Sequence, residues 1–218
     1  MTDKVSITDR PPLYRRALLL AQITVFYNLL EGVISVVFGM DDETLSLFGF
    51  GLDSFVEVIS GIGIWHMVSR MQRHPADDTD GFEQIALRIT GTAFYILSAG
   101  LMVMATISLY TNHHPETTAW GIIISVISIT TMWALIHFKS KVGRQLQSDA
   151  IIADAQCTRT CLYLSFVLLL ASVGYELTGI GGIDAVGAIA LAVFSYREGR
   201  EAFEKASGKN CCCENCRE

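Results

Sequence analysis

Residues 49–61 read Gly49-Phe50-Gly51-Leu52-Asp53-Ser54-Phe55-Val56-Glu57-Val58-Ile59-Ser60-Gly61, and they lie in the middle of an apolar run over 44–68. A run of that length suffices to carry a helix across a hydrocarbon layer about 30 Å thick. Within it stand two carboxylates, Asp53 and Glu57, four residues apart and therefore on one helix face. Gly49 and Gly61 continue the same stripe, and small residues there let another helix approach, so the carboxylates are expected to face protein and not lipid. An ionisable group at mid-bilayer costs about 3 kcal/mol even on insertion scales, so two together call for a functional reason.

The rest of the chain has the same character. Its 218 residues are 51% hydrophobic and 17% charged, with a mean hydropathy of +0.40, too apolar for a soluble domain of this size. Spans are expected at about 17–40, 44–68, 85–110, 120–138, 150–175 and 183–203, which predicts an all-α membrane protein of six transmembrane helices. The division follows as an N-terminal tail 1–16, a transmembrane transport domain 17–205 and a cysteine-rich tail 206–218. The first span is too long for the apolar core of a secretory signal, and Gly39-Met40-Asp41-Asp42 is not a cleavage site.

Orientation follows from the Lys and Arg residues. The N-terminal tail, the second loop (Arg70, Arg73), the fourth loop (Lys139, Lys141, Arg144) and the C-terminal segment (Arg197, Arg200, Lys205, Lys209, Arg217) hold nearly all of them. Basic residues accumulate in cytoplasmic loops, so both termini are placed in the cytoplasm. Asp41, Asp42 and Glu43, and His113-His114 with Glu116, then face outward. A net charge of −6 argues against a nucleic-acid partner.

The cytoplasmic half of the fifth span reads Asp154-Ala155-Gln156-Cys157-Thr158-Arg159-Thr160-Cys161 before a clean apolar run over 162–173. Asp154, Cys157 and Cys161 share one helix face. At about 1.5 Å per residue, Asp53, Glu57, Cys157 and Cys161 all fall within one to two turns of the midplane. Two carboxylates and two thiolates at one level can form a four-coordinate site that suits zinc, and other borderline or soft divalent ions. Two cysteines alone would be read as small buried hydrophobes. The buried acid pair favours metal coordination.

Other polar groups are secondary candidates. Asn28 and Glu31 in the first span are expected to line the same cavity or bond a neighbouring helix. Asp154 is an accessory ligand candidate, and Asp184 reads as a helix N-terminal residue first and an exit-path residue second. His113 and His114 read as a hydrated loop pair. The tail thiols Cys211, Cys212, Cys213 and Cys216 are expected to capture or sense metal in the reducing cytoplasm.

This pattern resembles the cation diffusion facilitator family, whose members are six-helix exporters of divalent metals. Asp53-Ser54-Phe55-Val56-Glu57 is similar to the family's second-helix ligand pair, with Glu at the second position. Ala153-Asp154-Ala155-Gln156-Cys157-Thr158-Arg159-Thr160-Cys161 is similar to its fifth-helix motif, with Cys at both ligand positions. Asp184 and Glu198-Gly199-Arg200-Glu201-Ala202 resemble its sixth helix and exit. The resemblance implies a CDF-like transmembrane bundle, a homodimer, here through the transmembrane helices, and the expectation is a short variant without the C-terminal cytoplasmic domain.

The expected function is secondary export of a divalent transition metal from the cytoplasm, zinc first, with cadmium, cobalt, iron, mercury or copper as other cargoes. The chain is read as a transporter and not an enzyme, with no organic cofactor. It would sit multi-pass in the lipid bilayer of a cell membrane, of the bacterial inner-membrane kind. No nucleotide-binding motif is present. Protons taken up by Asp53 and Glu57 after the metal departs are the expected counter-ions. A metal importer of the mercury or copper type, and a non-transporting membrane sensor or accessory subunit, stay open as alternatives.

Overall fold

A computed structural model describes residues 10–73, 81–146 and 149–207. Within them the chain forms six helices and no strand: α1 (Arg10–Asp41), α2 (Leu45–Arg73), α3 (Gly81–Thr111), α4 (Ala119–Leu146), α5 (Asp149–Thr178) and α6 (Gly182–Ala206). Each apolar run expected to span a membrane lies almost wholly within one helix, and the helices outlast the runs. At 32 residues α1 is about 48 Å long, against a hydrocarbon core of about 30 Å. Backbone hydrogen bonding continues into the polar zone, where apolar side chains are no longer required.

The basic residues assigned to loops are therefore on helix ends. Arg70 and Arg73 belong to α2, and Lys139, Lys141 and Arg144 belong to α4. The expected tail 1–16 already contains the start of α1, whose first turn accepts Pro11 and Pro12 because the missing N–H groups would have no helical partner there.

Among the described residues five helices are long and apolar enough to cross a membrane: Leu13–Asp41, Leu45–Met67, Leu87–Thr111, Ala119–Leu146 and Thr158–Thr178. In α6 the uncharged stretch lies between Asp184 and Arg197, about 18 Å of helix. This short element is held by packing. Ala185, Ala188, Leu191, Ala192 and Ser195 are buried, and α6 runs along α3. At their crossing a Cβ on Gly91 or on Gly199 would come within 3.1 Å of the other glycine's carbonyl oxygen, so the backbones themselves are in contact. Ser98 Oγ donates to the Ala192 carbonyl at 2.7 Å beside it.

Helix α1 packs on α2 and α4 on α5, while α2 also touches α3, α5 and α6. Helix α2 is thus the centre of the bundle, and its polar face meets protein on several sides. Leu47, Phe50, Leu101, Leu164, Leu168 and Leu191 form the main apolar core. Phe26, Ile96, Trp133 and Leu170 are each more than 60% exposed, an arrangement suited to lipid contact and not to water.

The end expected to face outward is laced together. Asp184, at the start of α6, caps α2 and not its own helix: its carboxylate accepts from Leu45 N at 2.8 Å, from Ser46 N at 3.1 Å and from the Ser46 hydroxyl. Glu176, near the end of α5, does the same for α4, accepting from Thr118 N at 2.6 Å and Thr117 Oγ1 at 2.8 Å. Glu43, Asn112 and Gly179 take left-handed conformations just after α1, α3 and α5 and stop those helices.

Candidate metal site

The two α2 carboxylates point to different neighbours. Asp53 is 3% exposed, and its Oδ1 accepts from Ser195 Oγ on α6 at 3.0 Å. Glu57, one turn on, faces α1 and α5. Its Oε2 accepts from Asn28 Nδ2 at 2.9 Å, and the Cys161 thiol meets its Oε1 at 2.5 Å. Residues 104 apart in sequence thus bring a carboxylate and a sulfur into contact at the level that their positions along the two spans imply.

Around this pair runs a network of hydroxyls. Glu31, buried on α1, accepts from Tyr27 Oη at 2.9 Å and from Ser54 Oγ at 3.3 Å, and Ser128 of α4 also bonds it. Ser165 donates to Ser128 Oγ at 2.8 Å and lies 2.9 Å from the Cys161 carbonyl. Glu31 and Glu198 stand within electrostatic reach of both Asp53 and Glu57. Four carboxylates therefore share one low-dielectric region, where like charges repel strongly and a cation is favoured.

The expected ligand set is partly visible. Asp53, Glu57 and Cys161 line one region, with Asp53 turned toward α6. Asp154 and Cys157 are carried on α5, but their side chains lie outside the described residues, as do Cys211, Cys212, Cys213 and Cys216. Among the described residues no three His, Cys, Asp or Glu side chains form a ready cage. The closest approach among the candidates is that of Glu57 and Cys161. Both oxygens of Asp184 are engaged in capping α2.

Several participants were not read from the sequence. Ser195, Ser54, Ser128 and Ser165 are small hydroxyl residues scattered in apolar helices, and the signal available for Ser195 was its place one turn before Glu198. Lys139 was assigned to a loop. It is 1% exposed within α4, and its Nζ donates to Thr158 Oγ1 at 2.9 Å, one turn from Cys161. Its position just past an apolar run gave the wrong signal, because a loop and a buried helix end look alike there.

At the outward end Glu43 pairs with His113 Nε2 at 3.3 Å, and His114 Nδ1 accepts from Gly181 N at 3.2 Å. Asp42 is buried, and its Oδ2 has no hydrogen-bond partner among the described residues. Burial, and then the like charges of Asp41, Glu116 and Glu176, push the Asp42 carboxyl above its ordinary range. A mostly apolar cavity of about 510 Å³ opens between this turn and α3, lined by Glu43, Thr44, Phe48, Ile107 and His113, apart from the Glu57–Cys161 pair.

Comparison with known families bears on the same helices. The family model for the cation efflux transmembrane domain matches residues 21–207. The chain belongs to the cation efflux family. The match begins inside α1 and takes in every later helix. Among curated proteins, an uncharacterized transporter of Methanocaldococcus jannaschii is 24% identical over 176 residues, covering 78% of this chain and 62% of the relative. Magnetosome protein MamB of Magnetospira sp. is 24% identical over 181 residues, covering 81% and 61%. Transmembrane protein 163 of Xenopus laevis is 25% identical over 163 residues, covering 74% and 57%. The chain thus spans about three fifths of the length of the curated relatives it matches.

Proposed function

We propose that this chain moves a divalent transition-metal cation out of the cytoplasm by secondary transport, through a midplane site built on Asp53, Glu57, Cys157 and Cys161. The observation that carries the reading is the contact of Glu57 on α2 with Cys161 on α5. A thiol against a carboxylate at mid-bilayer has a plain use: both lose their protons to a metal ion, and the ion offsets the burial of both charges. Membership of the cation efflux family supports transport over catalysis.

In this reading zinc is the first candidate cargo and cadmium the second, since sulfur beside oxygen suits borderline to soft divalent ions. The residues of this chain bind the ion, exclude water and release it toward the outward acidic cluster at Asp41, Asp42 and Glu43. Once it leaves, Asp53 and Glu57 face the like charges of Glu31 and Glu198, and uptake of protons relieves the repulsion. That exchange would couple export to a proton gradient. The membrane proposed is the cell membrane, and a second copy meeting this one through transmembrane helices is the protein partner that family membership suggests.

The test is flux into proteoliposomes loaded with a metal-sensitive dye. Zinc influx should rise with an opposing proton gradient and fall about a hundredfold or more for Glu57→Ala. Influx indifferent to both changes would refute the proposal.

A further inference from the structure

Asn28 lies at the middle of α1 and is 1% exposed. A primary amide taken so far from water needs partners for both of its ends. Its nitrogen has one, Glu57 Oε2 at 2.9 Å. Its oxygen is buried with no hydrogen-bond partner among the described residues. Among the described residues that oxygen is the unsatisfied buried side-chain acceptor nearest the Glu57–Cys161 pair, and it shares an amide carbon with the nitrogen that touches Glu57.

A half-turn about the Cβ–Cγ bond exchanges the two ends of the amide. The oxygen then stands near the present position of the nitrogen, about 2.9 Å from Glu57 Oε2. Two bare oxygens at that separation repel each other. With a metal bonded to each at about 2.0–2.2 Å, a separation of about 3 Å is an ordinary edge between neighbouring ligands. The turn gives up one N–H···O contact, and the oxygen leaves no hydrogen-bond partner behind among the described residues.

We propose that Asn28 is a ligand of the transported cation, its amide oxygen turning onto the ion beside Glu57 and Cys161. This rests on the reading of that pair as the cargo site. It draws α1 into the site, so that an arriving ion ties α1, α2 and α5 together, and it supplies a third donor where the acids and thiols alone form no cage. The donor is neutral and hard. It adds coordination without charge and favours borderline divalent ions such as zinc, cobalt and cadmium over a monovalent soft ion content with sulfur alone.

The test uses the full chain with the four tail cysteines changed to serine, purified in detergent, and cobalt(II) alone as the probe, read by its visible ligand-field absorption. Asn28→Leu removes both ends of the amide, whereas Asn28→Asp keeps an oxygen donor and abolishes the N–H. As a ligand position, Asn28→Leu should weaken cobalt binding about tenfold or more and change the spectrum, while Asn28→Asp stays within about threefold of the parent or binds more tightly. If the amide only steadies Glu57 by donating to it, Asn28→Asp should be as weak as Asn28→Leu, and that outcome overturns the proposal. Unchanged affinity and spectrum in Asn28→Leu also overturns it. Should that variant not fold, Asn28→Ala takes its place with the same expectations. Glu57→Ala and Cys161→Ala separate the two levels: if both bind cobalt like the parent, the cargo site itself is misplaced, whatever Asn28 does.

Discussion

The outward end of the bundle and its midplane both hold carboxylates bonded to neighbouring helices, and they use them in opposite ways. At the outward end Asp184 and Glu176 each accept from backbone N–H groups at the start of another helix, and neighbouring hydroxyls complete the set. Those groups have fixed partners and a structural task. At the midplane Glu57 meets one amide and one thiol, Asp53 meets one hydroxyl, and the amide oxygen of Asn28 has no hydrogen-bond partner among the described residues. Carboxylates bonded to the start of another helix hold a fold together, whereas sparsely bonded ones beside a sulfur are what the proposed cation site calls for.

That contrast can be broken by exchanging the consequences. Asp184→Ala should lower the stability of the detergent-solubilised protein by about 1–2 kcal/mol, since it strips the cap from α2, while cobalt affinity stays at the parent value. A thermal unfolding midpoint and a metal titration on the same sample check both halves. Lost cobalt binding with unchanged stability would place Asp184 in the cation path. A smaller effect is expected at the margin of the midplane, where Ser195→Ala removes the donor to Asp53. The loss of one hydrogen bond, about 1 kcal/mol, should alter zinc flux by about fivefold and lower the stability by no more than about that amount. A drop in stability larger than that for Asp184→Ala would mean that Asp53 belongs with the structural carboxylates.

The helices were legible in the sequence because a bilayer imposes a length on apolar runs, and each expected run lies almost wholly inside one helix. Their ends were not. Lys139 follows an apolar run and reads as a loop residue, yet α4 continues and buries it against Thr158. The depths of Glu57 and Cys161 could be compared by counting residues along two spans, which is why their meeting could be anticipated. That Asp53 turns toward α6 could not, since it depends on how α2 is rotated among its neighbours, and one serine in an apolar helix carries no mark of that. The capping role of Asp184 was hidden for a related reason: its own helix start explained the residue well enough, and the α2 backbone it serves is 138 positions away.

In the proposed function Glu57 and Cys161 hold one cation between them. Zinc-edge X-ray absorption on the purified full chain, with the four tail cysteines changed to serine, tests it most directly. The account predicts a mixed shell, with sulfur at about 2.3 Å and oxygen at about 2.0–2.2 Å, whose sulfur contribution falls in Cys161→Ser and whose oxygen contribution falls in Glu57→Ala. A shell of oxygen and nitrogen alone, unchanged in both variants, would contradict it.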